Sequence, residues 1–522
     1  MERYRIKEVE RDGRKIRAFD MPHGNLYETL AATAQRLPDK TGVVDDVRCL
    51  TFRQLREEAD ALAAYLRESV GVGPGDAVGI LMVNSAAFCA AFYALMKLGA
   101  VAIPMSTKLQ GEELLYRMND CRMERLFCDA KWYGKVRQVL GRTGIETVIA
   151  YGDGTPDGCF CYDRCVDGGR SLAQAECAGD DALPAVIMYT SGTTGGPKGA
   201  VMTQFNLLQG MYAYAANDMN EDDRTVLAVP AFHITGLNCV MTVFVLLGGL
   251  QVMVPIFDAV KVLDRMTEYR VTHFHAVSTV YIKLEEGFIA GRHDLSALRA
   301  ALCGGGFITR ENIRKFCRIA PDARFHPVYG MTETSGAGTY FPTHCLDSER
   351  ADSAGVCAPN CEMRIRSDGG EDGEICFRGA FVIGRYLHGG QNDNITSDGW
   401  LHSGDVGCFD ADGYLYIRDR IKDMINRGGE KVFSYEVESA MTTFAGVRQA
   451  VVFAVDDAVY GEIPAAVYLS ESNARVDEAG LIAHLCAKLA HFKVPVYLEH
   501  REQLPQTENG KIRKSELRKE FN

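Results

Sequence analysis

The densest chemical signal is the run Tyr189-Thr190-Ser191-Gly192-Thr193-Thr194-Gly195-Gly196-Pro197-Lys198-Gly199. Glycines let backbone N–H groups turn toward an anion at close range. Thr190, Ser191, Thr193 and Thr194 add hydroxyl donors, and Lys198 adds a charge. Such a loop suits a polyphosphate. It is not a Walker A loop, which needs Gly directly before Lys and Ser/Thr directly after; Lys198 lies between Pro197 and Gly199.

These residues need a scaffold. Apolar spacing predicts helices over 25–37, 51–66 and 87–97, and buried strands over 78–82, 100–104, 185–189, 225–229, 250–254, 272–276, 300–303 and 324–329. Strands alternating with helices imply parallel sheet covered on both faces. The phosphate-type loop then follows a strand, with a helix expected to open at 204–208. From 357 to 416 turns are frequent, which predicts a small, mostly antiparallel β unit. A charged stretch at 418–422 marks a domain boundary. The last hundred residues read as compact α+β: helices near 436–443 and 481–489, strands near 450–455 and 465–469. The expected division is 1–417, a hinge at 418–422, and 423–522.

Composition sets limits on function. A chain of 522 residues exceeds one ordinary core. Apolar residues at 47% and charged residues at 24% fit a soluble enzyme. With 57 basic against 69 acidic residues, net charge -12, nothing favours nucleic acid. No signal peptide is read in the charged N-terminus, and the apolar stretch 236–255 is interrupted by Asn238, Thr242 and Gln251. A buried core segment is expected there rather than a membrane span. Seventeen scattered cysteines suit a reducing cytoplasm. Cys159, Cys161, Cys165 and Cys177 cluster, but without a CxxC pair or nearby His they read as thiols rather than a metal site. The assembly state stays open, a homodimer being one option.

The loop resembles the phosphate-binding signature of the adenylate-forming superfamily: acyl-CoA synthetases, adenylation domains of peptide synthetases and beetle luciferases. Further motifs occur in the family's order. Pro230-Ala231-Phe232-His233 resembles the "P-hydrophobic-Phe-His" segment, and Tyr329-Gly330-Met331-Thr332-Glu333 the "YGxTE" core. Gly373-Glu374-Ile375, Arg378-Gly379 and Gly384 resemble the following β segment. Trp400 with Ser403-Gly404-Asp405 resembles "WxxTGD". Arg420-Ile421-Lys422-Asp423 and Gly428-Gly429 resemble the hinge motif, and Pro505, Thr507 and Gly510-Lys511-Ile512 the C-terminal lysine motif.

The resemblance implies an α/β fold: a large N-terminal domain of layered, mostly parallel sheets with helices and a small β unit, then a small mobile α+β domain. It implies a two-step ligase. A carboxylate attacks the α-phosphorus of ATP and expels pyrophosphate; the CoA thiol then attacks the acyl-adenylate and expels AMP. ATP, Mg²⁺ and coenzyme A are the implied cofactors. By resemblance, the nucleotide is held by Thr190, Ser191, Gly192, Thr193, Thr194, Gly195, Lys198, Gly304, Gly305, Tyr329 (stacked on adenine), Gly330, Met331, Thr332, Asp405 and Arg420. Glu333, with Thr190, holds the metal. Lys511, Thr332, Glu333 and His233 are the implied catalytic set.

The acyl pocket falls on Phe232, His233, Gly236, Val277, Gly304, Gly305, Gly306 and Met331. Lys422 is the hinge, and Gly428, Gly429 and Lys431 face the thiol channel after the small domain turns. Some relatives carry a lysine at Asn426 that helps the thioester step. His273, His275 and Gln204 read as structural, and Lys514 and Lys519 as surface lysines. No acid stands beside Phe232 and His233, where amino-acid-activating relatives place an aspartate, which argues against amino acids. A fatty acid is favoured. The alternative is an enzyme loading an aryl or other acid onto CoA or a carrier-protein phosphopantetheine. A scaffold protein with a dead site is disfavoured, because every motif residue needed for chemistry is present.

Overall fold

The computed structural model describes residues 4–11, 13–190, 197–367, 369–389, 394–471, 476–506 and 512–522. An eight-stranded sheet organises the first half. Its order is Arg385–Tyr386, Lys198–Thr203, Pro184–Thr190, Val101–Pro104, Ala77–Leu81, Arg125–Asp129, Thr147–Tyr151, Phe160–Cys161. From Pro184–Thr190 to Phe160–Cys161 the pairing is parallel. The helix Ala86–Leu98, apolar but for Lys97, is buried throughout its length, as expected of a helix packed on more than one side. Asn25, Thr51 and Ser85 cap the first three long helices through their side chains, and Thr51 with Gln54 forms a full capping box.

A second sheet pairs Arg224–Leu227, Leu250–Met253, Thr41–Val44 and Cys49–Thr51. The stretch 236–255 is indeed core: a π-helix Thr235–Met241, a helix Thr242–Leu247 and the strand Leu250–Met253. Its Asn238 and Gln251 side chains are buried and donate to backbone carbonyls. No described helix is long and apolar enough to cross a membrane. A three-stranded parallel sheet, His273–Ala276, Ala300–Cys303 and Arg324–Pro327, then ends in three loops side by side. In open α/β sheets, ligands sit at such carboxyl ends.

The β unit is a four-stranded antiparallel sheet, Cys361–Arg366, Gly373–Gly379, Leu401–Phe409 and Leu415–Arg420. Its last strand runs to Arg420, further than the turn pattern predicts, because it pairs in register with Asp405. The C-terminal lobe has its own sheet, Glu430–Val432, Ile425–Arg427, Gly461–Ser470 and Val447–Asp457, with Tyr497–His500 added beside Gly461–Ser470. Helices Ser434–Thr442 and Glu478–Lys488 cover one face and Lys514–Phe521 the other.

The helix expected to open at 204–208 is present as Gln204–Ala215. The strand Lys198–Thr203, antiparallel to Pro184–Thr190, leads into it, so Lys198 stands opposite Thr190 at a hairpin mouth. One local expectation needs correction: Lys514 is not a surface lysine. Its side chain is 13% exposed and lies 2.7 Å from Glu438.

Candidate functional site

The hairpin mouth gathers the first cluster. Thr190 Oγ1 donates to Glu333 Oε1 at 3.2 Å, and the Tyr386 hydroxyl donates to the same oxygen at 3.1 Å. Lys198 Nζ lies 5.4 Å from the Tyr386 ring centroid. Glu333 sits in a single 3-10 turn, Thr332–Thr334. The next residues, Ser335 (φ 52) and Gly336 (φ 89), bend the chain through the left-handed region. Tyr386 was missed by sequence reasoning. It lies on a two-residue edge strand with no periodicity to read. Ser191, Gly192, Thr193, Thr194, Gly195 and Gly196 lie outside the described residues, as do Thr507, Gly510 and Lys511.

A second cluster lies between the parallel sheet and the β unit. The Tyr329 hydroxyl donates to Asp405 Oδ2 at 2.6 Å, and Arg420 Nε is 3.4 Å from Oδ1. Burial pushes the Tyr329 phenol well up, and the Asp405 charge pushes the same way. Burial opposes charge on Arg420, but Asp405 together with Tyr435, Asp423 and Tyr329 more than offsets it, so the guanidinium stays protonated. The aspartate is oriented from behind. Glu374 Oε1 accepts the Gly404 N–H at 3.1 Å, and Glu374 Oε2 is 2.6 Å from His402 Nδ1. Gly404 takes φ 74, a conformation other residues rarely adopt. Glu374 was legible only as a motif letter. Its partners come from another strand.

Glycines shape the floor. A side chain on Gly304 would begin 2.8 Å from Val328 Cγ2. One on Gly330 would begin 2.5 Å from the Gly336 carbonyl. Both positions therefore exclude larger residues. Gly236 is different: its missing side chain would meet the Pro230 carbonyl at 2.3 Å, so it serves close packing of the π-helix on residues 229–230. Gly305 turns with φ 75, and the space above Gly306 is limited by Ser278 Oγ. Phe232 and His233 form an edge-to-face pair at 4.6 Å. Val277 precedes the helix Ser278–Gly287, and Met331 precedes the Glu333 turn.

The small lobe meets this floor through stacked rings. Phe307, next after the three glycines, and Tyr435 lie 4.7 Å apart and only 6° from parallel. Lys514 Nζ is 5.2 Å from the Tyr435 ring centre and 2.5 Å from Ser434 Oγ. Ser434 in turn donates its N–H and hydroxyl to Asp419, at 2.5 and 3.0 Å. Burial raises the Asp419 and Glu438 carboxyl pKa values, with Lys514 opposing the shift in both. Lys422 and Lys431 are exposed. Gly428 (φ 60) and Gly429 (φ 96) form an exposed hairpin tip. The Gly428 N–H donates to the Tyr460 carbonyl at 2.7 Å, and the Gly429 N–H to Asn426 Oδ1 at 3.0 Å.

The cysteines Cys159, Cys161, Cys165 and Cys177 go separate ways. Cys165 is buried in the core, and Cys177 Sγ accepts from Asn25 Nδ2 at 3.0 Å. All seventeen cysteines are free.

Fold and site together define a two-lobe enzyme with carboxylate, hydroxyl and guanidinium groups gathered at the carboxyl ends of a parallel sheet, beside the lobe junction. The chain belongs to the AMP-binding enzyme family: that family model matches residues 30–387, and the AMP-binding enzyme C-terminal domain matches residues 436–511. It is 32% identical over 512 residues to the long-chain-fatty-acid–CoA ligase FadD13 of Mycobacterium tuberculosis, covering 95% of this chain and 98% of that one. It is 32% identical over 505 residues to a feruloyl-CoA synthase of an Amycolatopsis species, covering 94% and 97%. The structure resembles that of the anthranilate CoA ligase AuaEII in complex with anthranoyl-AMP, with TM-score 0.89 at 25% identity over 96% of this chain and 98% of the other.

Proposed function

We propose that this chain activates a fatty acid of medium or longer chain as its acyl-adenylate and passes the acyl group to coenzyme A. The reaction class, AMP-forming acid–CoA ligation, is that of its family branch. The observation that carries the site assignment is the Tyr329–Asp405–Arg420 cluster beside the Gly304–Gly306 floor. The two oxygens of Asp405 are suited to both ribose hydroxyls, and Arg420 donates to the same sugar. Tyr329 flanks adenine. Thr190, Lys198 and the loop 191–196 hold the β and γ phosphates, and Thr332 reaches the α-phosphate. Both half-reactions displace a charged leaving group, so positioning and charge neutralisation dominate catalysis.

The residues around Glu333 fit Mg²⁺. One carboxylate with two neighbouring hydroxyls is a hard, all-oxygen set, and phosphates would complete it. Bound there, the ion would supply charge neutralisation to the phosphates. Lys511 supplies a cation to the reacting carboxylate and α-phosphate. The junction is divided into residues 1–417, a hinge at 418–422 that pivots on Lys422, and 423–522. Rotation carries Gly428, Gly429 and Lys431 from their exposed position toward the thiol channel. His233 and Phe232 guard the entry to the acyl pocket.

A ring-bearing acid is the second reading. It is favoured by the aromatic wall behind Gly304, where His275 and Tyr214 lie 5.3 Å apart. Pyrophosphate release against a graded panel of straight-chain and aryl acids, with AMP and thioester read by mass, tests both. A plain fatty acid giving stoichiometric acyl-CoA supports the first reading. Product only with a holo-carrier protein would replace CoA as the acceptor.

A further inference from the structure

The strand His273–Ala276 carries two buried histidines with different surroundings. His273 is satisfied: its Nδ1 lies 3.1 Å from Asp223, whose carboxylate also binds Arg299. His275 makes no such pair. It is 7% exposed, and its Nδ1 is enclosed without a hydrogen-bond partner. Its Nε2 lies 3.6 Å from where a Gly304 side chain would begin. The ring leans on Tyr214 at 41°, and the Tyr214 hydroxyl is already committed to the Gly336 carbonyl at 3.0 Å.

Burial pushes the His275 pKa down to about 3, so the imidazole is neutral at pH 7. A neutral imidazole has one donor and one acceptor nitrogen. A proton on the enclosed Nδ1 would be an orphaned donor. Nε2 instead lies beside Gly304 at the edge of the glycine floor, with Val328 Cγ2 as the neighbouring side chain. An unmet donor there is penalised against a plain hydrocarbon, and an acceptor removes that penalty. A site built to bond a substrate heteroatom rejects the analogue lacking it more strongly than it senses a missing methylene.

We infer that His275 donates from Nε2 to an acceptor atom on the body of the bound acid, so that the preferred substrate carries a carbonyl, ether or hydroxyl oxygen or a ring nitrogen remote from its carboxylate. This rests on placing the acyl group over Gly304–Gly306. The acceptor could stand on a chain or on a ring, and the test separates these sources.

Pyrophosphate release is measured with the purified enzyme on matched pairs: oxo- and methylene-chain fatty acids, and oxygen-substituted and unsubstituted aryl acids. The acceptor-bearing member of one series is expected to show ~10-fold or greater kcat/KM, and the series showing it identifies chain or ring. His275→Leu should bring that ratio to within ~2-fold of unity while the plain acid is still turned over, and His275→Asn should restore part of it. Equal kcat/KM within both pairs for the unmutated enzyme overturns the inference, as does an unchanged ratio in soluble His275→Leu. If that variant does not fold, the unmutated enzyme's pairs decide alone. Absence of pyrophosphate with every acid would instead sink the ligase reading, and the inference with it.

Discussion

The proposed nucleotide face of the large lobe and the junction with the small lobe are held by different physics. On the former the backbone dictates position. Gly304 and Gly330 admit no side chain, Asp405 is registered against Arg420 across a strand pair, and Glu374 grips the Gly404 turn. Across the junction, by contrast, the contacts are between isolated side chains or one helix N-terminus. They comprise the Phe307–Tyr435 stack, the Asp419–Ser434 bonds, Arg448–Glu286 at 2.5 Å and the Lys315–Glu471 pair. The core fixes the first set. Of the second set, the two partly exposed ion pairs contribute only about 0–1 kcal/mol each and exchange at modest cost, whereas the buried Asp419–Ser434 bonds are the costlier part to replace. A rigid seat with a largely replaceable lid contact fits the proposed alternation of half-reactions.

The sharpest way to break this contrast is Lys511→Ala. Pyrophosphate release should fall at least ~100-fold, while thioester formation from supplied acyl-adenylate stays within ~3-fold. Equal loss in both halves would remove the reason for two lobe positions. Gly429→Leu should do the reverse, slowing the thioester half ~10-fold or more and sparing pyrophosphate release, because a side chain would obstruct the channel. An unaffected thioester rate would take Gly429 out of that channel.

Asp405→Ala tests the rigid seat. Losing hydrogen bonds to a charged acceptor costs about 1.5–3 kcal/mol, so the KM for ATP should rise roughly 10- to 100-fold with the melting temperature little changed. A melting temperature that falls while KM holds would make Asp405 structural.

Lys514→Met tests the junction. It leaves Glu438 and Asp419 buried without their cation, at a cost of about 3 kcal/mol, read as a lower unfolding midpoint of the small lobe. The sign with pH follows from the raised carboxyl values. Groups whose folded pKa lies above the unfolded one hold protons longer when folded, so stability is greater at low pH and falls as pH rises past the usual carboxylate range. The variant should therefore regain stability at pH 5 relative to pH 8, and more so than the unmutated chain. The smallest effect is expected for Phe307→Leu. Losing one stacked pair, about 1 kcal/mol, should slow adenylation roughly fivefold without altering the nucleotide seat.

Much of the local geometry of the proposed seat was legible in the sequence. Tyr329, Glu333, Asp405 and Arg420 lie on strand ends or turns whose apolar flanks and glycines are readable locally. The helices over 25–37 and 51–66 carry their caps, Asn25 and Thr51, in the chain itself. What escaped depends on residues distant in sequence. Tyr386 reaches Glu333 from a two-residue edge strand, and Phe307 meets Tyr435 across 128 positions of chain. Lys514 reads as solvated because its partners, Glu438 and Ser434, lie on another helix. His275 reads as a structural histidine, and only packing reveals that its Nδ1 has no partner. Local pattern reports burial and turns, whereas partnership across layers is set by topology.

The most direct test of the central claim is a crystal of the enzyme soaked with AMP. The account predicts adenine against Tyr329, the ribose hydroxyls on the Asp405 carboxylate within hydrogen-bond distance, and the phosphate toward Thr332 and Glu333. Nucleotide bound elsewhere, with Asp405 still closed on Tyr329 and Arg420, would contradict it.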